Sequence, residues 1–155
     1  MSDESVILTG GCQCGAVRYS AHAKSHDAYY CHCRMCQQAF GNVFATFVNL
    51  EKEAVTWEAG PPAYYASSKI ARRGFCGACG TPLSFEYHES KNMDLSVGSL
   101  DHPDRMRPVA HFGVESRVES FHRPDGLKEK RIDEVDHIVQ KWKAAYGKGA
   151  TPGKP

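Results

Sequence analysis

The chain has 155 residues, 41% of them hydrophobic and 24% charged, with a net charge of +1. These values fit a globular protein of one domain, long enough to bury a core without help from metal. The near balance of 19 basic and 18 acidic residues offers no basic footprint for nucleic acid, and no run approaches the roughly 20 apolar residues of a membrane span. Partners of both kinds are therefore expected to be absent. The N-terminus carries Asp3 and Glu4 before a short apolar run, Val6, Ile7 and Leu8. A signal peptide needs a basic start and a longer apolar stretch, so a cytoplasmic protein is expected.

Along the chain, period-two alternation of apolar and polar residues predicts strands at 16–20, 45–48, 71–75 and 83–87. The pattern continues at 94–98 and 109–114. Gly10-Gly11, Gly60-Pro61-Pro62, His102-Pro103-Asp104 and Pro124-Asp125-Gly126 read as turns between them. Many short strands with frequent turns predict a mainly β domain of antiparallel sheets. A short helix is expected around 34–40. One longer helix is expected over 133–146, because Ile132, Val135, Ile138, Val139, Trp142, Ala145 and Tyr146 share a helical face. Asp133 is its expected cap and Gly147 its expected end. Residues 1–146 are thus expected to form a single domain, with 147–155 a disordered tail rich in Gly, Lys and Pro.

Seven cysteines carry the chemistry, and they fall in three clusters: Cys12 and Cys14; Cys31, Cys33 and Cys36; Cys76 and Cys79. An odd number cannot pair fully into disulfides, and a reducing compartment disfavours pairing, so metal binding is the expected use. Cys76-Gly-Ala-Cys79 has a zinc-ligand spacing in which a tight turn aims both sulfurs at one ion. The competing reading is a thioredoxin-like redox pair, but that motif opens a helix, and the residues after Cys79 read as a strand. Cys12 and Cys14 point to the same side of an extended segment and supply half a tetrahedral site. Their natural partner is the Cys76/Cys79 pair, which completes a structural four-cysteine zinc site.

The remaining trio, Cys31, Cys33 and Cys36, matches a catalytic zinc site with three protein ligands and an exchangeable fourth position. Three alternatives stay open. His32 closes the site, another His, Asp or Glu closes it, or the trio binds nothing. Arg34, Arg72 and Arg73 lie near the clusters in sequence, either offsetting thiolate charge or standing as ordinary surface residues. Tyr29, Tyr30, Phe40, Phe44, Tyr64 and Tyr65 are either pocket walls or core. His88, His111 and His122 are acid–base candidates by residue type.

Gly10-Gly-Cys-Gln-Cys-Gly-Ala-Val-Arg-Tyr19, Cys31-His-Cys-Arg-Met-Cys36 and Arg73-Gly-Phe-Cys-Gly-Ala-Cys-Gly-Thr-Pro-Leu83 together resemble the glutathione-dependent formaldehyde-activating enzyme family. Gly98-Ser-Leu-Asp-His-Pro103 and Pro108-Val-Ala-His111 resemble its later signature. The resemblance covers roughly residues 5–131. It implies an Mss4-like zinc fold, related to centromere protein V. It implies a structural zinc on Cys12, Cys14, Cys76 and Cys79, and a catalytic zinc on Cys31, Cys33 and Cys36. It also implies a carbon–sulfur lyase-type reaction, in which formaldehyde and glutathione as co-substrate give S-hydroxymethylglutathione. One departure stands out: family members often carry a tryptophan after Glu-Ser-Arg, where this chain runs Val118-Glu-Ser-Phe121. Fold similarity does not fix function, so the competing expectation is a non-catalytic zinc module that binds or scaffolds.

Overall fold

In the computed structural model, residues 5–153 are described. The chain divides into two compact units, Met1–Ala28 with Phe47–Arg107, and Tyr29–Thr46 with Pro108–Pro155. Among the described residues, no helix is long and apolar enough to cross a membrane. The fold is mainly β with short strands, as expected, plus two α-helices.

The first unit contains a three-stranded antiparallel sheet of β1 (Val6–Gly11), β2 (Arg18–Ala23) and β5 (Val55–Ala59), in the order β1-β2-β5. β4 (Ala45–Glu51), β6 (Ala63–Ser68), β7 (Ala71–Phe75), β8 (Pro82–Tyr87) and β9 (Asn92–Ser96) run in the order β4-β9-β8-β7-β6. Each neighbouring pair in that series is antiparallel. Alternation is clean where one face meets solvent: in β1, Val6 and Leu8 are buried while Ile7 is 57% exposed. It fails in β9, where Met93 through Ser96 are all buried, so that both faces of this strand are covered. Tyr19, Val48, Leu83 and Leu95 sit at the centre of the core, each contributing about 1.5–3 kcal/mol by burial. The buried carboxylate of Glu86 on β8 is paired with Arg72.

The Gly10-Gly11 pair ends β1 instead of forming a turn. The physical reason is close packing. A Cβ on Gly10 would lie 2.4 Å from the Ser99 carbonyl and 2.5 Å from the Tyr19 hydroxyl, which is itself hydrogen bonded to Ser99 Oγ at 2.7 Å. Gly10→Ala therefore overpacks the core. It is expected to lower the unfolding free energy by about 1–3 kcal/mol in a denaturant titration, without changing metal content.

The second unit holds β3 (Asp27–Cys31), whose last three residues belong to it, then α1 (Arg34–Phe40), β10 (Arg107–Phe112) and β11 (Lys128–Lys130). β10 lies between β3 and β11 and is parallel to β11. Cys33 caps α1, its sulfur accepting from the Cys36 N–H at 3.3 Å. Gly41 closes α1 in a left-handed conformation, φ 58°.

α2 (Asp136–Tyr146) begins later than the residue pattern suggests. Residues 132–134 form a 3-10 turn that buries Ile132, and Val135 occupies the cap position. Asp133 does not cap the helix; it accepts from the Arg131 guanidinium at 2.9 and 2.6 Å. Gly147 ends the helix, donating its N–H to Lys143 O at 2.9 Å. The tail expected at 147–155 reaches beyond the described residues at 154 and 155. Within the described part, Pro152 and Gly153 are buried.

Candidate metal centres

Two matching turns build the four-cysteine group. In one, Gly15 at φ 82° lets its N–H reach Cys12 O at 3.1 Å, and the Val17 N–H reaches Cys12 Sγ at 3.2 Å. In the other, Gly80 at φ 81° reaches Cys76 O at 2.8 Å, and the Cys79 N–H reaches Cys76 Sγ at 3.5 Å. A left-handed glycine permits each reversal, and backbone amides aimed at sulfur stabilise the thiolate form. Thr81 ties the turns together: its hydroxyl oxygen accepts from the Gln13 N–H at 3.1 Å and lies 3.2 Å from Cys79 Sγ. Hydrogen bonds from Thr81 hold the Cys79 thiol down at about 5.

The sulfurs of Cys12, Cys14, Cys76 and Cys79 all lie within 4.8 Å of one another. Cys12 and Cys14 are 3.6 Å apart, and Cys14 and Cys76 are 3.7 Å apart. Four thiolates around a tetrahedral ion at about 2.3 Å stand roughly 3.8 Å from each other. The donor set and its spacing therefore fit a closed metal site. The residues after Cys79 form β8 and not a helix, so the thioredoxin-like arrangement is not present.

The second group comes from the end of β3 and the start of α1. The sulfurs of Cys31, Cys33 and Cys36 all lie within 4.8 Å of one another, and all three residues are buried. Among the described residues, no His, Asp or Glu joins this group. Contact with Cys33 and Cys36 pushes the Cys31 thiol well above its ordinary range. Three thiols crowded this way cannot ionise together without a cation, so the trio also suits a metal, and three sulfurs are one short of a tetrahedral set.

His32 does not close that site. Its Nε2 meets His111 Nδ1 at 2.8 Å, and His111 Nε2 meets Asp125 Oδ2 at 2.9 Å. Burial pushes the His32 ring down to about 4, and the His111 hydrogen bond holds the Asp125 carboxyl low. In the neutral form of His111, ionised Asp125 accepts from its Nε2–H and its Nδ1 accepts from His32 Nε2–H. The main chain of His32 is held as firmly: its N–H donates to Phe112 O at 2.8 Å, and its carbonyl accepts from Gln37 Nε2 at 2.8 Å. The residue between two thiolates is thus fixed at ring, N–H and carbonyl.

On the sulfur side, the end of the described chain returns onto the trio. Gly153 O accepts from the Met35 N–H at 3.2 Å. A Cβ on Gly153, whose φ is 74°, would lie 2.9 Å from Cys33 Cβ and 3.7 Å from its sulfur. Gly153→Val is expected to lift this segment off Cys33. The rate of metal release from the trio to a chromophoric chelator should rise severalfold, with Trp142 fluorescence unchanged. An unchanged rate would show that the segment does not shield the trio.

Of the other sequence candidates, Tyr30, Phe44, His111 and His122 line one cavity of about 130 Å³ with His32. Tyr29 packs edge-on against Phe112 with ring centroids 6.2 Å apart, and half-buried Phe40 ends α1. Arg72 lies over the Tyr64 ring and pairs with Glu86; Arg73 lies over Phe85 and donates to Ser67 Oγ. None of these contacts is to a thiolate. Arg34 donates to Gln37 Oε1 at 3.2 Å. Tyr65 stands 5.8 Å from the Phe75 ring, and His88 is exposed after β8.

Residues 7–116 match the model of the family described as "Glutathione-dependent formaldehyde-activating enzyme". The chain belongs to this family. A relative from Schizosaccharomyces pombe, named "Uncharacterized lyase C29B12.13", is 36% identical over 83 residues. That match covers 54% of this chain and 60% of the relative. A crystal structure of a Rhodobacter sphaeroides protein aligns with a TM-score of 0.52 at 22% identity, over 60% of this chain and 87% of that one. That likeness concerns the fold alone. All seven cysteines lie inside the family match, whereas Arg117, Phe121, His122, Arg123 and Asp125 lie beyond it. Sequence reasoning missed Asp125, whose Pro-Asp-Gly setting reads as an ordinary turn. The signal for His32 was present: a residue between two ligands of one ion must send its side chain elsewhere.

Proposed function

We propose that the protein is a zinc-dependent carbon–sulfur lyase-type enzyme acting on a thiol–aldehyde adduct, with glutathione and formaldehyde as the implied pair. The observation that carries this reading is the buried trio of Cys31, Cys33 and Cys36, which gathers three sulfur donors and no fourth protein ligand among the described residues. Cys12, Cys14, Cys76 and Cys79 hold a structural zinc in this reading, and residues 1–146 act as one zinc-binding catalytic domain. Zinc bound at the trio supplies Lewis acidity and lowers the pKa of a thiol that enters its open position. The chain supplies the rest. Burial of the three cysteines keeps bulk water out, and the fixation of His32 at three points holds the Cys31–Cys33 loop. The amide of Cys36 donates to Cys33 Sγ, which stabilises that sulfur as a thiolate.

Metal analysis combined with a glutathione titration of the cobalt-substituted protein tests this. Two ions per chain are expected, with glutathione shifting the visible spectrum of one. Turnover of S-hydroxymethylglutathione, followed as formaldehyde release, should depend on that ion. A single tightly held ion, or a spectrum indifferent to glutathione, would favour a non-catalytic zinc module.

A further inference from the structure

The Pro124-Asp125-Gly126 turn lies beyond residues 7–116, so the family match does not reach it. Its carboxylate is nevertheless held at both oxygens. Oδ1 accepts from the Leu127 N–H at 3.1 Å, and Oδ2 meets His111 Nε2 at 2.9 Å. His111 Nδ1 continues the chain to His32 Nε2 at 2.8 Å. The two rings are buried, at 4% and 3% exposure, while the Asp125 side chain is 39% exposed. A carboxylate at the surface is thus linked by hydrogen bonds to the residue that separates Cys31 from Cys33. His32, His111 and Asp125 all belong to the second unit.

The main chain of His32 is tied at its N–H, to Phe112 O, and at its carbonyl, by Gln37 Nε2. Both ties lie on the backbone, and the residue can still turn about the line joining them. The ring bond lies off that line and supplies the third constraint. A turn there would redirect Cys31 and Cys33, whose sulfurs must stand about 2.3 Å from a shared ion.

The position of His111 is set by its neighbours. Tyr30 stacks on it at 4.8 Å with 16° between the planes, and His122 meets it edge-on at 5.3 Å. What Asp125 adds is a choice of nitrogen. With an ionised acceptor at Nε2, neutral His111 keeps its proton there and leaves Nδ1 to accept from His32 Nε2–H. Without that acceptor the proton can sit on Nδ1, where it faces the His32 N–H donor to donor. A buried ring that loses its partner in this way is driven to move.

We propose that Asp125 is a positioning residue for the sulfur trio: through His111 it fixes the His32 ring, and with it the directions of Cys31 and Cys33 towards their ion. The inference rests on the trio holding a metal, as proposed above, and not on the lyase reaction.

The test uses the full chain loaded with cobalt. Release to a chromophoric chelator is expected in two phases, the trio's being the one missing from Cys36→Ser. Asp125→Leu keeps the side-chain bulk and removes the acceptor. It should speed the trio's phase by about tenfold or more, the scale of a lost partner behind a metal ligand, and shift the visible bands of that ion. The four-cysteine phase should not move. His111→Phe keeps a ring in the stack and removes both nitrogens, so adding Asp125→Leu to it should change nothing further. In nitrogen-15 NMR spectra of the imidazoles, His111 should carry its proton on Nε2 in the parent and on both nitrogens in exchange in Asp125→Leu. The proposal is overturned if Asp125→Leu leaves the trio's phase unchanged, or if both phases accelerate together, which marks a merely structural role. It is also overturned if the two substitutions multiply, or if the chain has no trio phase at all. A trio ion that responds to Asp125→Leu but ignores glutathione would sink the lyase reading and leave this inference standing.

Discussion

Stripping the ion from Cys12, Cys14, Cys76 and Cys79 is expected to unfold the unit that contains them, not merely to silence the protein. The expected magnitude follows from two scales. Structural zinc sites of this kind contribute about 10–16 kcal/mol of apparent binding free energy, and a whole domain is stable by about 5–15 kcal/mol. Cys12 and Cys76 are also core residues, packed with Val17, Tyr19 and Leu83. Losing the ion therefore leaves thiols crowded in an apolar interior with nothing to hold their charge or their spacing. Cys79→Ser is the sharper variant, because Cys79 lies outside that core and its replacement costs little packing. Metal content should fall by one ion per chain, and the cooperative thermal transition should drop by more than about 10 °C. A metal-free protein that kept its unfolding temperature would show that the core alone stabilises this unit.

Cys36→Ser is expected to behave in the opposite way. It removes one of three sulfurs from the trio while α1 keeps its Cys33 cap and its Gly41 terminus. The second proposed ion should be lost, and the proposed lyase activity should fall by more than about 100-fold, since even residues that merely orient a ligand are worth 10–100-fold. The unfolding transition that reports the four-cysteine group should stay within about 1 kcal/mol of the parent. If Cys36→Ser and Cys79→Ser shift metal content, stability and activity in the same proportions, the division of labour between the two groups is wrong.

These two contrasts rest on a part of the protein that was legible without its structure. The turns that aim Cys12 with Cys14, and Cys76 with Cys79, follow from the geometry of short chelating loops, a local property, whereas the meeting of the two pairs, 62 positions apart between Cys14 and Cys76, is tertiary. α1 is local in the same way, its cap and glycine stop lying within a few residues of each other. The strands at 45–48, 71–75 and 83–87 were legible because one face of each carries apolar side chains. β3 and β6 were not, because alternation there is broken by tyrosines and small residues, whereas β5 alternates as Val55-Thr-Trp-Glu-Ala59 and carries a signal that sequence reasoning missed. β1 was obscured by Gly10 and Gly11, which look like a turn and are instead demanded by Tyr19 and Ser99 packed against them.

What the sequence alone determined is the inventory of candidate metal donors in three short clusters, because a chelating turn is encoded by neighbours in the chain. The tertiary structure decided everything that needed residues far apart to meet. It sent the His32 ring to His111 and Asp125, 79 and 93 positions away. It laid Gly153 against Cys33, and it gathered Tyr30, Phe44 and His122 around the His32–His111 pair. Side chains at such separations are placed by packing and by the need of buried polar groups for partners, and no local pattern in the sequence records that choice.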